Sequence, residues 1–160
     1  MALFDFCLNL TSSQFKDDQA LVLERAQQAG VSHYLIAGSD LADSEQAVEL
    51  CTQHRHNLYA TVGVHPHNAK SWQADTRAAL ETLAARSELL AIGEAGLDFH
   101  RNLSTEAQQE HAFREQIELS IQSDLPLFLH ERDAHDRFRE IISEYHSQLN
   151  ATVVHCFTGD

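Results

Sequence analysis

Positive charge is what this 160-residue sequence has too little of. Eleven Lys and Arg stand against 24 Asp and Glu, giving a formal net charge of −13 with histidine neutral. That balance disfavours a passive nucleic-acid binder, because phosphate affinity normally comes from Lys and Arg displacing counterions. A bound divalent cation would supply the missing positive charge locally. Cysteine is sparse as well: Cys7, Cys51 and Cys156 form no CxxC pair, and an odd number suits a reducing compartment better than a disulfide framework. The opening MALFDFCLNL lacks a basic segment and meets Asp5 before any signal-like apolar run, and no later run approaches membrane-spanning length. A cytoplasmic location and no membrane partner are therefore expected. Low-complexity tracts and Pro/Gly linkers are absent too, so one domain over residues 1–160 is the natural expectation.

What is present is alternation. With 43% hydrophobic residues the chain can bury a substantial core. Short apolar runs at about Ala2 to Leu8, His33 to Ala37, Leu58 to Val64, Leu89 to Gly93, Pro126 to Leu129 and Thr152 to Val154 read as strands. Helix-period segments separate them, which favours a mostly parallel sheet covered by helices. The first helix is expected from about Ser13 to Gln28, with Gly30 placed to end it. The second is expected to be capped by Asp43 with Gln46, the third to run from Ala74 to Ala85, the fourth to be capped by Thr105 with Gln108, and the fifth by Asp133. Ala47, Leu50, Cys51, Leu80, Leu83, Phe113, Ile117, Phe138 and Ile141 supply their inward faces.

Six polar residues close these runs: Asn9, Ser39, His65, Glu94, His130 and His155. In a β/α barrel the carboxyl ends of the strands converge on one face, so residues distant in sequence can share a metal ion. A closed barrel needs eight strands and six are counted, with the chain ending at Asp160 just past a strand. The expected fold is thus a TIM-type β/α barrel, truncated after about six of eight strands.

Glu94 lies in Ala91-Ile-Gly-Glu-Ala-Gly-Leu-Asp98, where glycines permit close backbone approach. Alone it would read equally well as an acceptor for turn N–H groups. His130 after Pro126-Leu-Phe-Leu and His155 after Thr152-Val-Val tip the reading towards a metal site of Glu94, His130 and His155. Imidazole suits Zn, Mn, Fe and Ni, whereas carboxylate and water also suit Mg. His65 and His67, stiffened by Pro66, can bind metal, donate to a phosphate oxygen, or merely stiffen a loop. Arg101 can fork onto a phosphate, with a surface ion pair as the duller alternative. His54, His56, His111 and His146 read as solvated surface, and Trp72 and Phe99 as cover for helix ends rather than base-stacking platforms.

The segments Asn9-Leu-Thr-Ser-Ser-Gln-Phe15, Gly63-Val-His-Pro-His67, Ile92-Gly-Glu-Ala-Gly-Leu-Asp-Phe99, His130 with Arg132-Asp-Ala-His135, and His155-Cys-Phe-Thr-Gly159 together resemble the N-terminal part of the TatD family of metal-dependent hydrolases, in its TatD branch. The resemblance implies a barrel of the amidohydrolase kind and a divalent-metal-dependent deoxyribonuclease, a 3′ to 5′ exonuclease with a DNA-repair role. It carries Glu94, His130 and His155 over as metal ligands. Other branches usually begin Asp-x-His-x-His, whereas Asp5-Phe-Cys-Leu-Asn9 places Cys7 and Asn9 at the two His positions. Free cysteines most often behave as small buried hydrophobes, and Cys7 is read so here. The family's final catalytic Asp, on an eighth strand, has no counterpart in this chain, and Asp160 does not replace it.

On this reading Glu94 anchors a divalent metal, Mg first with Mn or Zn as alternatives, and His65 and Arg101 hold the phosphate of a single-stranded DNA substrate. Two further readings are a catalytically dead metal-binding fragment acting as an interaction module, and a hydrolase of small amides or esters. The complete family protein is expected to be a monomer and the fragment to self-associate.

Overall fold

Each apolar run ends in a parallel strand, and each helix-period segment returns the chain to the neighbouring strand. In the computed structural model, which describes residues 2–54 and 57–159, the strands are β1 (Leu3–Leu8), β2 (Val31–Ile36), β3 (Leu58–Val62), β4 (Leu89–Asp98), β5 (Leu127–Arg132) and β6 (Thr152–His155). The helices between them are α1 (Gln19–Gln28), α2 (Leu41–Gln53), α3 (Thr76–Ala84), α4 (Glu106–Ser123) and α5 (His135–Tyr145). His56 and Asp160, which figured in the sequence reading, lie outside the described residues.

All five pairings are parallel and follow chain order from β1 to β6. The sheet curls into a half-barrel: the Phe6 ring on β1 meets the Phe128 ring on β5 edge-on at 6.1 Å, and Cys7 Sγ on β1 lies 4.0 Å from His155 Nδ1 on β6. The main core fills the space between sheet and helices. There Leu58, Val62, Ile92, Leu97, Leu127 and Leu129 from the strands join Ala47, Val48, Leu80, Phe113, Ile117 and Ile141 from the helices, all buried.

Several helix starts differ from the sequence expectation, for local reasons. Ser13–Phe15 forms a separate 3-10 turn with Ser12 Oγ accepting from Gln14 N, and α1 begins only at Gln19. Asp40, rather than Asp43, caps α2 by accepting from Asp43 N at 2.9 Å; Asp43 instead accepts from the amide and hydroxyl of Ser39. Asp133 does not cap α5: it takes a left-handed φ of 51° and pairs with His100, while Glu131 accepts from Ala134 N. The Thr105–Gln108 capping box on α4 forms as expected.

β4 and β5 also run further than the sequence suggested, so Glu94 and His130 sit within strands rather than at their ends. Gly93 and Gly96, which looked like a turn, take φ of 142° and 136° inside β4. A Cβ at either would collide with the carbonyl oxygen of Phe128 or His130, so only glycine lets β4 lie this close to β5.

The concave face is thinly covered. Ala37, Ala91 and Phe128 are buried there, and a cavity of about 510 Å³ is lined by Phe4, Phe6, Leu90, Phe128 and Val153 among others. Phe4 is 50% exposed and Phe6 43%, although side chains at such positions ordinarily fill a barrel interior. Among the described residues no helix is long and apolar enough to cross a membrane.

This apolar face, together with the edges of β1 and β6 that no strand pairs among the described residues, predicts self-association of the 160-residue chain, because unpaired edges and contiguous apolar surface both recruit other chains. Light scattering of the purified 160-residue chain should report oligomers or aggregates, and an apolar dye should bind. A monodisperse monomer with a sharp melt and no dye binding would contradict this.

Candidate metal centre

The six polar residues singled out at strand ends all line one cavity of about 610 Å³, together with Cys7, Thr11, Ser12, Asp43, His67, Asn68, Leu103 and Cys156. Strand register explains the convergence. Gly96 on β4 pairs with His130 on β5, and His130 pairs with His155 on β6. Glu94 and Asp98 flank Gly96 at the two-residue spacing that puts side chains on one face of a strand. The His130 ring therefore stands between two carboxylates: Nδ1 is 3.2 Å from Glu94 Oε1, and Nε2 is 3.3 Å from Asp98 Oδ2.

Glu94 Oε1 is the hub. His155 Nε2 lies 2.5 Å from it and His65 Nε2 3.4 Å, in addition to His130. Its side chain is only 8% exposed, and the three rings are 7–18% exposed. Burial pushes the Glu94 carboxyl up, but hydrogen bonds from His130, His155 and His65 overcome that and hold it well below the usual carboxylate range. For His155, burial opposes the charged ring, yet Cys7 and Glu94 beside it raise its pKa to about 10. His65 moves the other way, lowered chiefly by burial despite Glu94.

His65 has its ring orientation fixed from outside. The His67 amide donates to His65 Nδ1 at 3.0 Å, so a neutral His65 ring carries its proton on Nε2, facing the cavity. In that tautomer it donates to an anion, and Nε2 opens to an ion only in the other tautomer, which gives up the His67 amide bond.

The sequence reading missed the residues that hold this arrangement. Asp98 is 1% exposed and accepts from the Arg101 amide at 2.8 Å, while its Oδ2 also faces His67 Nε2 at 2.6 Å. Burial raises its carboxyl, and the Arg101 amide and His67 more than compensate, so it too lies below its ordinary value. Its signal was the four-residue spacing from Glu94, hidden because the strand was expected to stop at Gly93. Gln109 and Gln116, fully buried and seven residues apart on one face of α4, clamp the backbone of Asp98 and Val64 respectively. Gln116 thereby fixes the residue that precedes His65. Glu131, also fully buried, accepts from the amides of Ala134, Thr158 and Gly159, tying the exit of β5 to the loop after His155.

Arg101 departs from expectation. It is exposed, stands outside the cavity lining, and contributes its backbone amide rather than its guanidinium to the site's framework. Cys7 departs in part: it packs half-buried against the small cluster of Ala37, Ala91 and Phe128, and it also lines the cavity. Trp72 and Phe99 pack against the main core, and His54, His111 and His146 are exposed, as read.

Among the described residues three groups of donors lie close enough to hold an ion, with ligand atoms within 4.8 Å of one another: His65, Glu94 and His130; Cys7, Glu94 and His155; and His130, His155 and Cys156. A carboxylate backed by imidazoles, one of which has its far nitrogen on a second carboxylate, is the donor set of a divalent-metal site with its outer partner in place.

Similarity to known proteins points to one family. The model of the family described as TatD related DNase matches residues 4–160. A curated relative from Pantoea ananatis, 3'-5' ssDNA/RNA exonuclease TatD, is 46% identical over 157 residues, covering 98% of this chain and 60% of the relative. A protein of the same name from Erwinia tasmaniensis is 47% identical, covering 98% and 61%. Among solved structures, a TatD family hydrolase from Entamoeba histolytica superposes with a TM-score of 0.89 at 29% identity, covering 99% of this chain and 60% of that one. A TatD homolog from Escherichia coli K12 gives 0.87 at 29% identity, covering 99% and 61%. The chain thus spans about 60% of the length of the curated relatives it matches.

The pairing of Glu94 with His155 makes metal-free stability depend on pH. Glu94, depressed from an ordinary value of 4.5, contributes stability above that value and loses it in acid; His155, raised from 6.5 to about 10, contributes fully below about 6.5 and loses it as pH rises through about 10. Denaturant titrations of the metal-free chain should show stability falling between about pH 6.5 and 10, and His155→Gln should flatten that fall. An unchanged alkaline slope in the variant would contradict the assignment.

Proposed function

Because this chain belongs to the TatD-related DNase family, we propose that its cavity binds a divalent metal through Glu94, His130 and His155 and serves phosphodiester hydrolysis of single-stranded nucleic acid, DNA foremost, from the 3′ end. The observation that carries the reading is electrostatic. Among the described residues the cavity lining contains Glu94 and three inward-facing imidazoles, but no Lys or Arg. The arginines with ion pairs lie elsewhere, as in Arg114–Glu144 and Arg137–Glu110 between α4 and α5. A phosphate entering this cavity therefore needs a cation brought from outside the chain.

When bound, such a cation polarises a phosphoryl oxygen and lowers the pKa of water, the two contributions phosphodiester hydrolysis most needs. Glu94 supplies its anionic oxygen, already ionised in the folded protein. His130 offers Nδ1, with its other nitrogen steadied by Asp98. His155 offers Nε2 and gives up its proton to do so. His65, its donor nitrogen aimed into the cavity, holds a phosphate oxygen. Arg101, exposed and outside the lining, is left as a contact for a phosphate beyond the cavity. Mg is the ion that family resemblance puts first, and two imidazoles also accommodate Mn or Zn. We place the protein in the cytoplasm because its free cysteines suit a reducing compartment, and family resemblance assigns it a part in DNA repair.

The residues present form one end of the machinery, and the eighth-strand Asp expected for the family has no counterpart in this sequence. A positioned general base typically contributes about a hundredfold or more. With Mn or Mg and a labelled single-stranded oligonucleotide, this chain should shorten the substrate from its 3′ end, about a hundredfold or more slower than the Pantoea relative at equal concentration. Chelation or Glu94→Gln should abolish what remains. Cleavage of a small ester but not DNA would favour the small-substrate reading. Metal binding with no turnover on either would favour a silent metal-binding module. Rates equal to the relative's would refute a role for the Asp.

A further inference from the structure

Resting on the metal-centre reading of Glu94 and His155, we propose that Cys7 is a ligand of the same centre, a thiolate that makes its β1–β6 side a subsite for thiophilic ions such as Zn²⁺ or Cd²⁺. Cys7 Sγ, a Glu94 carboxylate oxygen and a His155 ring nitrogen all lie within 4.8 Å of one another, the spread of donors that can close on one ion. The thiol is half-buried, on the cavity wall, and 4.0 Å from His155 Nδ1.

The three sulfurs are not equivalent. Cys51 is fully buried on α2, and burial with Glu88 nearby pushes its thiol up to about 12, so it is inert. Cys156 lies 3.4 Å from His155 Nδ1 but is exposed, follows the ligand directly in sequence, and sits in the loop after β6 at φ 51°. Only Cys7 approaches from a different strand and joins the group that contains Glu94.

The chemistry separates the two sides of the centre. The His65–Glu94–His130 group offers nitrogen and oxygen alone, whereas the Cys7–Glu94–His155 group adds a soft sulfur, and thiolate selects Zn over Mg, Ca and Mn. Glu94 is common to both. On coordination the Cys7 proton leaves to solvent as the sulfur–metal bond forms, with no change in oxidation state. The centre therefore discriminates between metals through one residue of β1, and Zn²⁺ binds more tightly than the nitrogen and oxygen donors alone would give.

Titration of the metal-free chain with Cd²⁺ tests this through the ultraviolet charge-transfer band of a cadmium–thiolate bond. The band should appear and saturate near one equivalent in the parent chain and in Cys51→Ser and Cys156→Ser. It should vanish in Cys7→Ser, with Zn²⁺ affinity falling by about tenfold or more. Mn²⁺ binding, followed by water-proton relaxation, should persist in Cys7→Ser. If it is missing from the parent chain, the metal-centre reading fails; if it persists while the band survives Cys7→Ser, only the sulfur assignment fails. A band lost with Cys156→Ser instead also overturns it. Should Cys7→Ser not fold, alkylation of the parent chain gives the same answer: Zn²⁺ but not Mg²⁺ must protect Cys7, and equal alkylation with and without Zn²⁺ refutes the proposal.

Discussion

A carboxylate that is 8% exposed, with three imidazole nitrogens within 3.4 Å of one oxygen, sets the terms for the rest of this fold. Burying Glu94 ionised is tolerable only because three imidazoles close on its Oε1 in compensation. In the metal-free protein His155 provides that compensation as an imidazolium, and in the proposed working state a divalent cation takes over. Much of the surrounding structure serves to keep those groups aimed at a single point. That β3, β4, β5 and β6 each deliver one of them is a consequence of the parallel order, which places consecutive strand exits side by side.

Holding four side chains to this geometry requires that their backbones not slide. The two strand glycines draw β4 against β5, and the resulting pairing of Gly96 with His130 puts the ring between Glu94 and Asp98. Gln109 and Gln116 reach from the inner face of α4 to the exits of β4 and β3, so one helix sets the height of both Asp98 and His65. Glu131 does the corresponding service for the loop after β6. Each is a buried polar group whose hydrogen bonds go mainly to backbone, with Glu131 also accepting from the Thr158 hydroxyl, and removing one would leave buried amides unpaired at about 1–3 kcal/mol each. Strands carry Glu94, His130 and His155, and His65 sits in the loop just past β3.

The sequence shows the six strands, five helices and the polar residue at or near each strand exit, because a two-state alternation of apolar runs and helix-period segments is a strong signal. Glu94, His130, His155 and His65 were legible for the same reason. Asp98 was not, since glycines at 93 and 96 looked like the end of β4, and only the close approach of β5 shows them to be strand residues. Gln109 and Gln116 were illegible because polar residues on a helix read as its wet face until the strands they bond are known. Arg101 misled in the opposite sense: proximity in sequence to Glu94 did not translate into proximity in space, because the chain turns away after Asp98.

In the proposed working state Glu94, His130 and His155 meet at one ion, and anomalous diffraction tests that most directly. Crystals of this chain soaked in Mn²⁺ and measured with long-wavelength X-rays should give a dominant anomalous peak within coordinating distance of Glu94, His130 and His155. A dominant peak elsewhere on the acidic surface, with none at Glu94, would contradict it.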